Sequence, residues 1–118
     1  MKRPRVILVE DETLVAMMME DLLADLGCDI VGSFADLSLA LRWLAAQDDP
    51  PDGAVLDVNL GGQMVFPLAE ALERRGVPFA FATGYGALSE PRFQHAPVLH
   101  KPVDEARLVP IVRRFSAA

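Results

Sequence analysis

The stretch Arg5-Val-Ile-Leu-Val-Glu-Asp-Glu12 (RVILVEDE) sets four branched apolar residues directly against three acids. A continuous apolar run of this length suits a strand buried on both faces, as in a parallel sheet. The acids then stand at the C-terminal end of that strand, immediately before a helical pattern. From Thr13 to Leu26, apolar residues at Val15, Met18, Met19, Leu22 and Leu26 follow helical spacing, and Gly27 sits where a C-terminal cap belongs.

The same alternation continues along the chain. Asp29 to Phe34 reads as a second, weaker strand, and Asp36 as the N-cap of a helix with the stripe Leu37, Ala40, Leu41 and Leu44. Gly53 to Val58 is a third strand, followed by the loop Asn59-Leu-Gly-Gly-Gln63 and a helix around Val65–Arg75 that ends at Gly76. Pro78 to Ala82 gives the fourth strand and Val98 to His100 a short fifth; any helix within Ala87–Ala96 is short. The last helix lies within Asp104–Phe115. Proline in a helix interior costs about 3 kcal/mol, so Pro110 argues for a start nearer Arg107 or for a kink. Five β–α units imply an α/β fold, a doubly wound five-stranded parallel sheet with helices on both faces.

Composition bounds the function. The 118 residues suit one domain spanning 1–118, and 52% apolar with 24% charged residues fits a globular chain rather than a disordered one. The longest apolar runs, about five to six residues, fall far short of the roughly 20 needed to span a bilayer. No signal peptide is visible, and Cys28 is alone, which points to a reducing cytoplasmic setting. A formal charge of −6 and a pI near 4.7 disfavour nucleic acid and invite cations or a basic partner.

In such sheets functional residues gather at the C-terminal strand ends. Strand one ends in Glu10-Asp11-Glu12, strand three in Asp57, strand four at Thr83, and strand five runs into Lys101-Pro102. Each alone has an ordinary structural explanation as a helix-end acid, a turn former or a solvated side chain. Together they place carboxylates, a hydroxyl and an ammonium on one edge. Clustered carboxylates repel unless a cation sits among them. Mg²⁺ meets that need with one or two carboxylates, waters and a phosphate, while Lys101 offers a point charge and Thr83 a donor. The chemistry expected is phosphoryl binding beside Mg²⁺.

Val6-Ile-Leu-Val-Glu-Asp-Glu12, Leu56-Asp57, Thr83-Gly84 and Lys101-Pro102, in this order and spacing, resemble the receiver domain of bacterial two-component response regulators. The resemblance covers essentially the whole chain and implies the flavodoxin-like strand order 2-1-3-4-5, which is known for receivers and is taken from the resemblance. Pro78-Phe-Ala-Phe-Ala-Thr-Gly-Tyr-Gly86 further resembles the signature of the FATGUY subgroup of single-domain regulators.

What the resemblance implies can be carried over by position. Asp57 is the phosphoacceptor, served by a sensor histidine kinase or a histidine phosphotransfer protein. Asp11, Asp57 and the backbone carbonyl of Asn59 ligate Mg²⁺, with Glu10 acting through a bound water; Glu12 belongs to the helix start. Lys101 and Thr83 bind phosphoryl oxygens, Pro102 is structural, and Gly84, Tyr85 and Gly86 form a switch loop. Receivers usually carry an aromatic switch residue three positions before the lysine, where this chain has Val98, so Tyr85 is the expected substitute. A bulky Tyr85 near Asn59 is also expected to slow hydrolysis of the acyl phosphate.

The implied function is a phosphorylation-dependent interaction switch acting on an output protein, through the face formed by a fourth helix, the fifth strand and the last helix. A phosphate sink or a fragment of a hybrid kinase are the alternatives. A haloacid-dehalogenase-type phosphohydrolase would carry an Asp two residues after Asp57, where Asn59 stands, so an enzyme is not expected. A nucleotide or flavin module would want a glycine-rich phosphate loop where Glu10–Glu12 stand, and a receiver acting by binding alone would not need all the phosphorylation residues. Of the remaining residues, Met17-Met-Met19 reads as core filling, Trp43 as packed on a helix face, and His95 and His100 as surface or structural. Arg107, Arg113 and Arg114 give the last helix a basic end.

Overall fold

The computed structural model describes residues 3–84 and 90–117. Its main sheet is built from β1 (Arg5–Val9), β2 (Asp29–Phe34), β3 (Gly53–Asp57), β6 (Phe79–Thr83) and β7 (Val98–His100), all parallel, in the order β2-β1-β3-β6-β7. Two further strands, β4 (Asn59–Leu60) and β5 (Gln63–Met64), form a separate antiparallel hairpin. Taken over the five parallel strands, the order is the 2-1-3-4-5 expected of a flavodoxin-like, doubly wound sheet.

The helices are α1 (Thr13–Asp25), α2 (Leu37–Ala46), α3 (Phe66–Arg74) and α4 (Glu105–Ser116). Alternation along the strands divides the core between the two faces. Ile7, Val9, Ala54, Leu56, Phe79 and Phe81 pack toward Ala40 and Leu44 of α2 and Leu68 and Leu72 of α3. Val6, Leu8, Val55, Ala80 and Ala82 pack toward Met19 and Leu23 of α1 and Leu108, Ile111 and Phe115 of α4. All five residues of β3 are buried, which is why its sequence shows no polar alternation.

Several sequence expectations are corrected. The last helix begins at Glu105 rather than near Arg107: the Asp104 carboxylate accepts from the Arg107 N–H at 3.0 Å and caps it. Pro110 therefore sits inside the helix. Pro110 and Ala106 are both exposed, so the Ala106 carbonyl that loses its partner faces water. The Asn59–Gln63 loop is in fact the β4–β5 hairpin, turned by Gly61 (φ +58) and Gly62 (φ +95). Two successive positive φ values are the geometry of a two-residue type I′ hairpin, which glycine adopts without a Cβ clash. Of the three methionines read as core, only Met19 is buried; Met17 and Met18 are more than half exposed, because α1 turns its Met19–Leu23 line inward. Trp43 packs its ring on Phe34 of β2, centroids 5.6 Å apart.

Within the segment expected to hold at most a short helix, Pro91–Phe93 is a single 3-10 turn. Phe93 is buried among Phe66, Phe79 and Phe81, with every ring centroid within 5.9 Å. Arg92 and His95 on either side reach Glu70 and Glu73 of α3, at 3.3 and 3.4 Å. This aromatic and ionic seam fastens the segment onto α3. Val98, where the resemblance leads one to look for an aromatic residue, pairs with Phe81 on β6 and packs against the same cluster.

Among the described residues, no helix is long and apolar enough to cross a membrane.

Candidate functional site

The strand order reverses between β1 and β3, so their C-terminal ends open a crevice where ligands bind in open α/β sheets. Into it the sequence delivers Glu10 and Asp11 from the end of β1 and Asp57 from the end of β3. Glu10 is 4% exposed and Asp57 8%, whereas Asp11 is exposed. One carboxylate oxygen from each of the three lies within 4.8 Å of the others, a group able to hold a metal ion. Three oxygen donors of like charge at this spacing suit a hard divalent cation.

Lys101, just past β7, supplies the counter-charge. Its Nζ lies 2.6 Å from Glu10 Oε1 and 3.5 Å from Asp57 Oδ2. The other Glu10 oxygen accepts from the Glu12 N–H at 3.1 Å, fixing Glu10 by its own chain turn. Glu12 stands at the N-cap position of α1, with no side-chain cap hydrogen bond.

The electrostatics follow from this packing. Burial pushes the Asp57 carboxyl up to about 7, reinforced by a hydrogen bond and like charge from Glu10 and by a hydrogen bond with Asp11; the Lys101 charge opposes the rise. For Lys101 burial favours the neutral amine, but the Glu10 hydrogen bond and the Asp57 and Glu10 charges outweigh it and hold the ammonium above its ordinary value. Without a bound cation, the cluster therefore keeps a proton close to neutral pH.

Asn59 opens β4 and its N–H points to Asp57 Oδ1 at 3.4 Å, while its side-chain oxygen accepts from the Gly62 N–H at 2.8 Å. The side chain is thus spent within the hairpin, and Gly61 brings the hairpin turn near Asp11: a Cβ at Gly61 would lie 3.8 Å from Asp11 Oδ2. Thr83 closes β6, one residue beyond the Ala82 that pairs with Asp57, and its carbonyl accepts from the Lys101 N–H at 2.9 Å. Gly84 follows in an exposed bend; Tyr85 and Gly86 lie outside the described residues. Pro102 is joined to Lys101 by a cis peptide bond.

The direct Glu10–Lys101 contact was not among the sequence expectations, which gave Lys101 to phosphate alone. The hairpin beside Asp11 was also missed, although Gly61-Gly62 between two short apolar-containing runs is itself a hairpin signal.

This sheet order, with an acid cluster and a lysine at its switch point, is the architecture of a receiver. The chain belongs to the response regulator receiver domain family, whose model matches residues 6–113. It is 38% identical to SdrG from Sphingomonas melonis Fr1, with a TM-score of 0.84 over 99% of this chain and 100% of that one. It is 37% identical to the BeF3-activated conformation of SdrG from Pseudomonas melonis Fr1, with a TM-score of 0.75 over 97% and 98% of the two chains. It is 28% identical to the REC domain of the Erythrobacter litoralis PhyR response regulator, with a TM-score of 0.82 over 98% and 92%. No protein of curated function matches the chain.

Proposed function

We propose that this receiver domain is a phosphorylation-controlled interaction switch with Asp57 as phosphoacceptor. The observation that carries the reading is the buried Asp57 carboxylate set between a carboxylate cluster and the Lys101 ammonium. An Asp57 oxygen attacks the phosphorus of a phosphohistidine on a sensor kinase or phosphotransfer protein. A P–O bond forms, the P–N bond breaks, and the partner's imidazole leaves with the electron pair. The product is an acyl phosphate.

Glu10, Asp11, Asp57 and the Asn59 backbone carbonyl are the residues that would hold Mg²⁺, which when bound supplies positive charge beside the phosphoryl oxygens. Lys101 leaves Glu10 for a phosphoryl oxygen, and the Thr83 hydroxyl donates to another. Gly84, Tyr85 and Gly86 follow Thr83 and carry the change to an output protein, with Tyr85 acting for the aromatic residue that Val98 replaces. Pro102 orients the chain after Lys101. The domain catalyses only the gain and loss of its own phosphoryl group and acts in the cytoplasm.

The Phe79-Ala-Phe-Ala-Thr-Gly segment and the end-to-end match with SdrG support placing the chain with FATGUY-type single-domain regulators. The existence of a BeF3-activated conformation of SdrG supports a corresponding second state here, since fluoroberyllate mimics a tetrahedral phosphoryl group.

The test is phosphoryl transfer from a labelled phosphohistidine kinase or acetyl phosphate, with and without Mg²⁺, to the wild type and Asp57→Asn. Mg²⁺-dependent, base-labile label absent from Asp57→Asn is expected. Label that persists in Asp57→Asn, or none from competent donors, overturns the reading.

A further inference from the structure

The register of the β4–β5 hairpin decides what its first residue offers the acid cluster. Leu60 pairs with Gln63 across the Gly61-Gly62 turn, and Asn59 pairs with Met64. One step further out, the Val65 N–H donates to the Val58 carbonyl at 2.9 Å. Hydrogen-bonded and non-hydrogen-bonded pairs alternate along an antiparallel ladder, so Asn59–Met64 is a non-hydrogen-bonded pair between two bonded rungs. Asn59 therefore turns its N–H and C=O away from Met64, both toward one edge. The N–H marks that edge, because it points to Asp57 Oδ1 at 3.4 Å. The Asn59 carbonyl accordingly faces the acid cluster and not the ladder.

This register is a property of the turn. A two-residue turn makes Leu60–Gln63 the bonded rung and leaves Asn59 off it. Gly61 and Gly62 accept the positive φ values such a turn needs, but two glycines in succession also leave other backbone shapes open. The Asn59 side chain closes that choice. Its Oδ1 accepts from the Gly62 N–H at 2.8 Å and ties the first residue of the hairpin to the far side of its own turn. Leu60, 5% exposed, and the buried Val65 seat the hairpin in the core. The latch thus acts on a segment that starts beside Asp57 and turns beside Asp11.

We infer that the Asn59 carboxamide is a positioning group for the cation pocket. By holding Gly62 it keeps the register in which its own residue's carbonyl is presented to Asp11 and Asp57. The inference rests on the Mg²⁺ reading given above and assigns the side chain a task separate from that of the carbonyl. Groups that orient a metal ligand change metal affinity by about 10–100-fold when they are removed.

The experiment titrates the ¹⁵N-labelled protein with MgCl₂ at constant ionic strength and follows the Asp11 and Asp57 amide resonances. Asn59→Ala is expected to raise the Mg²⁺ Kd about tenfold. Asn59→Ser keeps a neutral acceptor that makes the same kind of turn bond more weakly, so its Kd should fall between those of the wild type and Asn59→Ala. Met64→Ala alters the exposed residue paired with Asn59 and should bind as the wild type does. An Asn59→Ala protein with the wild-type Kd, even one with a lower unfolding midpoint in EDTA, leaves the side chain a structural role only and overturns the proposal. Asn59→Ser binding no tighter than Asn59→Ala, or Met64→Ala binding as weakly, overturns it as well. A wild type without a saturable shift removes the Mg²⁺ reading itself, and the inference falls with it.

Discussion

Lys101 is held more closely by Glu10, at 2.6 Å, than by Asp57, at 3.5 Å. The residue proposed to meet the incoming phosphoryl group is thus already committed to the neighbour of the phosphoacceptor. Lys101→Ala leaves Glu10 and Asp57 buried without their cation. We expect it to lower stability by about 2 kcal/mol, read from urea unfolding without Mg²⁺. In the proposed function it also abolishes the chemical-shift response to fluoroberyllate. A variant as stable as the wild type would show that the pair contributes nothing.

The raised Asp57 carboxyl makes metal-free stability depend on pH. A carboxyl lifted in the folded state above its ordinary 3.8, to about 7, contributes stability that is fully present below the ordinary value and lost as pH rises through the folded one. Unfolding in EDTA should therefore show the wild type losing stability relative to Asp57→Asn between about pH 4 and pH 7, at up to about 1.4 kcal/mol per pH unit. A pH-independent difference between the two proteins would remove the buried-proton account. Adding Mg²⁺ should flatten the dependence, since the cation favours the ionised carboxylate.

Gly53 is a packing requirement of β3. A Cβ there would lie about 2.2 Å from Phe115 Cγ, where the α4 ring covers the strand. Gly53→Ala should cost about 1–3 kcal/mol by overpacking. Gly53→Ala/Phe115→Leu should cost less than the two single losses added together. Simple additivity in urea midpoints would show that the two sites do not compete for the same space.

Thr83→Ala should still take label from acetyl phosphate but lose phosphorylation-dependent binding of the output partner. Tyr85→Ala should do the same, and Tyr85→Glu should in addition speed loss of the acyl phosphate. Unchanged partner binding by both alanine variants, measured by calorimetry with fluoroberyllate, would take the switch away from this loop.

Much of the fold could be read from the chain because its central strands β1, β3 and β6 are buried on both faces. Val6–Val9 and Ala54–Leu56 carry no polar residue, and the acids follow at the point where each strand reaches the edge. The convergence of Glu10, Asp11, Asp57 and Lys101 followed from that pattern. What escaped was set by contacts remote in sequence or by segments too short to show a period. The Glu10–Lys101 pair joins residues 91 apart, and two-residue strands such as β4 and β5 have no alternation to detect. Pro110 misled because propensity weighs an interior proline against any helix, whereas here the capped Asp104 turn and an exposed Ala106 carbonyl absorb it.

The bond from the Lys101 N–H to the Thr83 carbonyl makes the two residues jaws of one clamp with a shared pivot. Neither jaw is carried by a free loop: each hangs from the last rung of its strand. Lengthening or shortening β7 by a residue would reset the bite of the clamp while leaving every acid where it is. Under the proposed function, strand length would then tune phosphate lifetime with no change in the chemistry of the pocket.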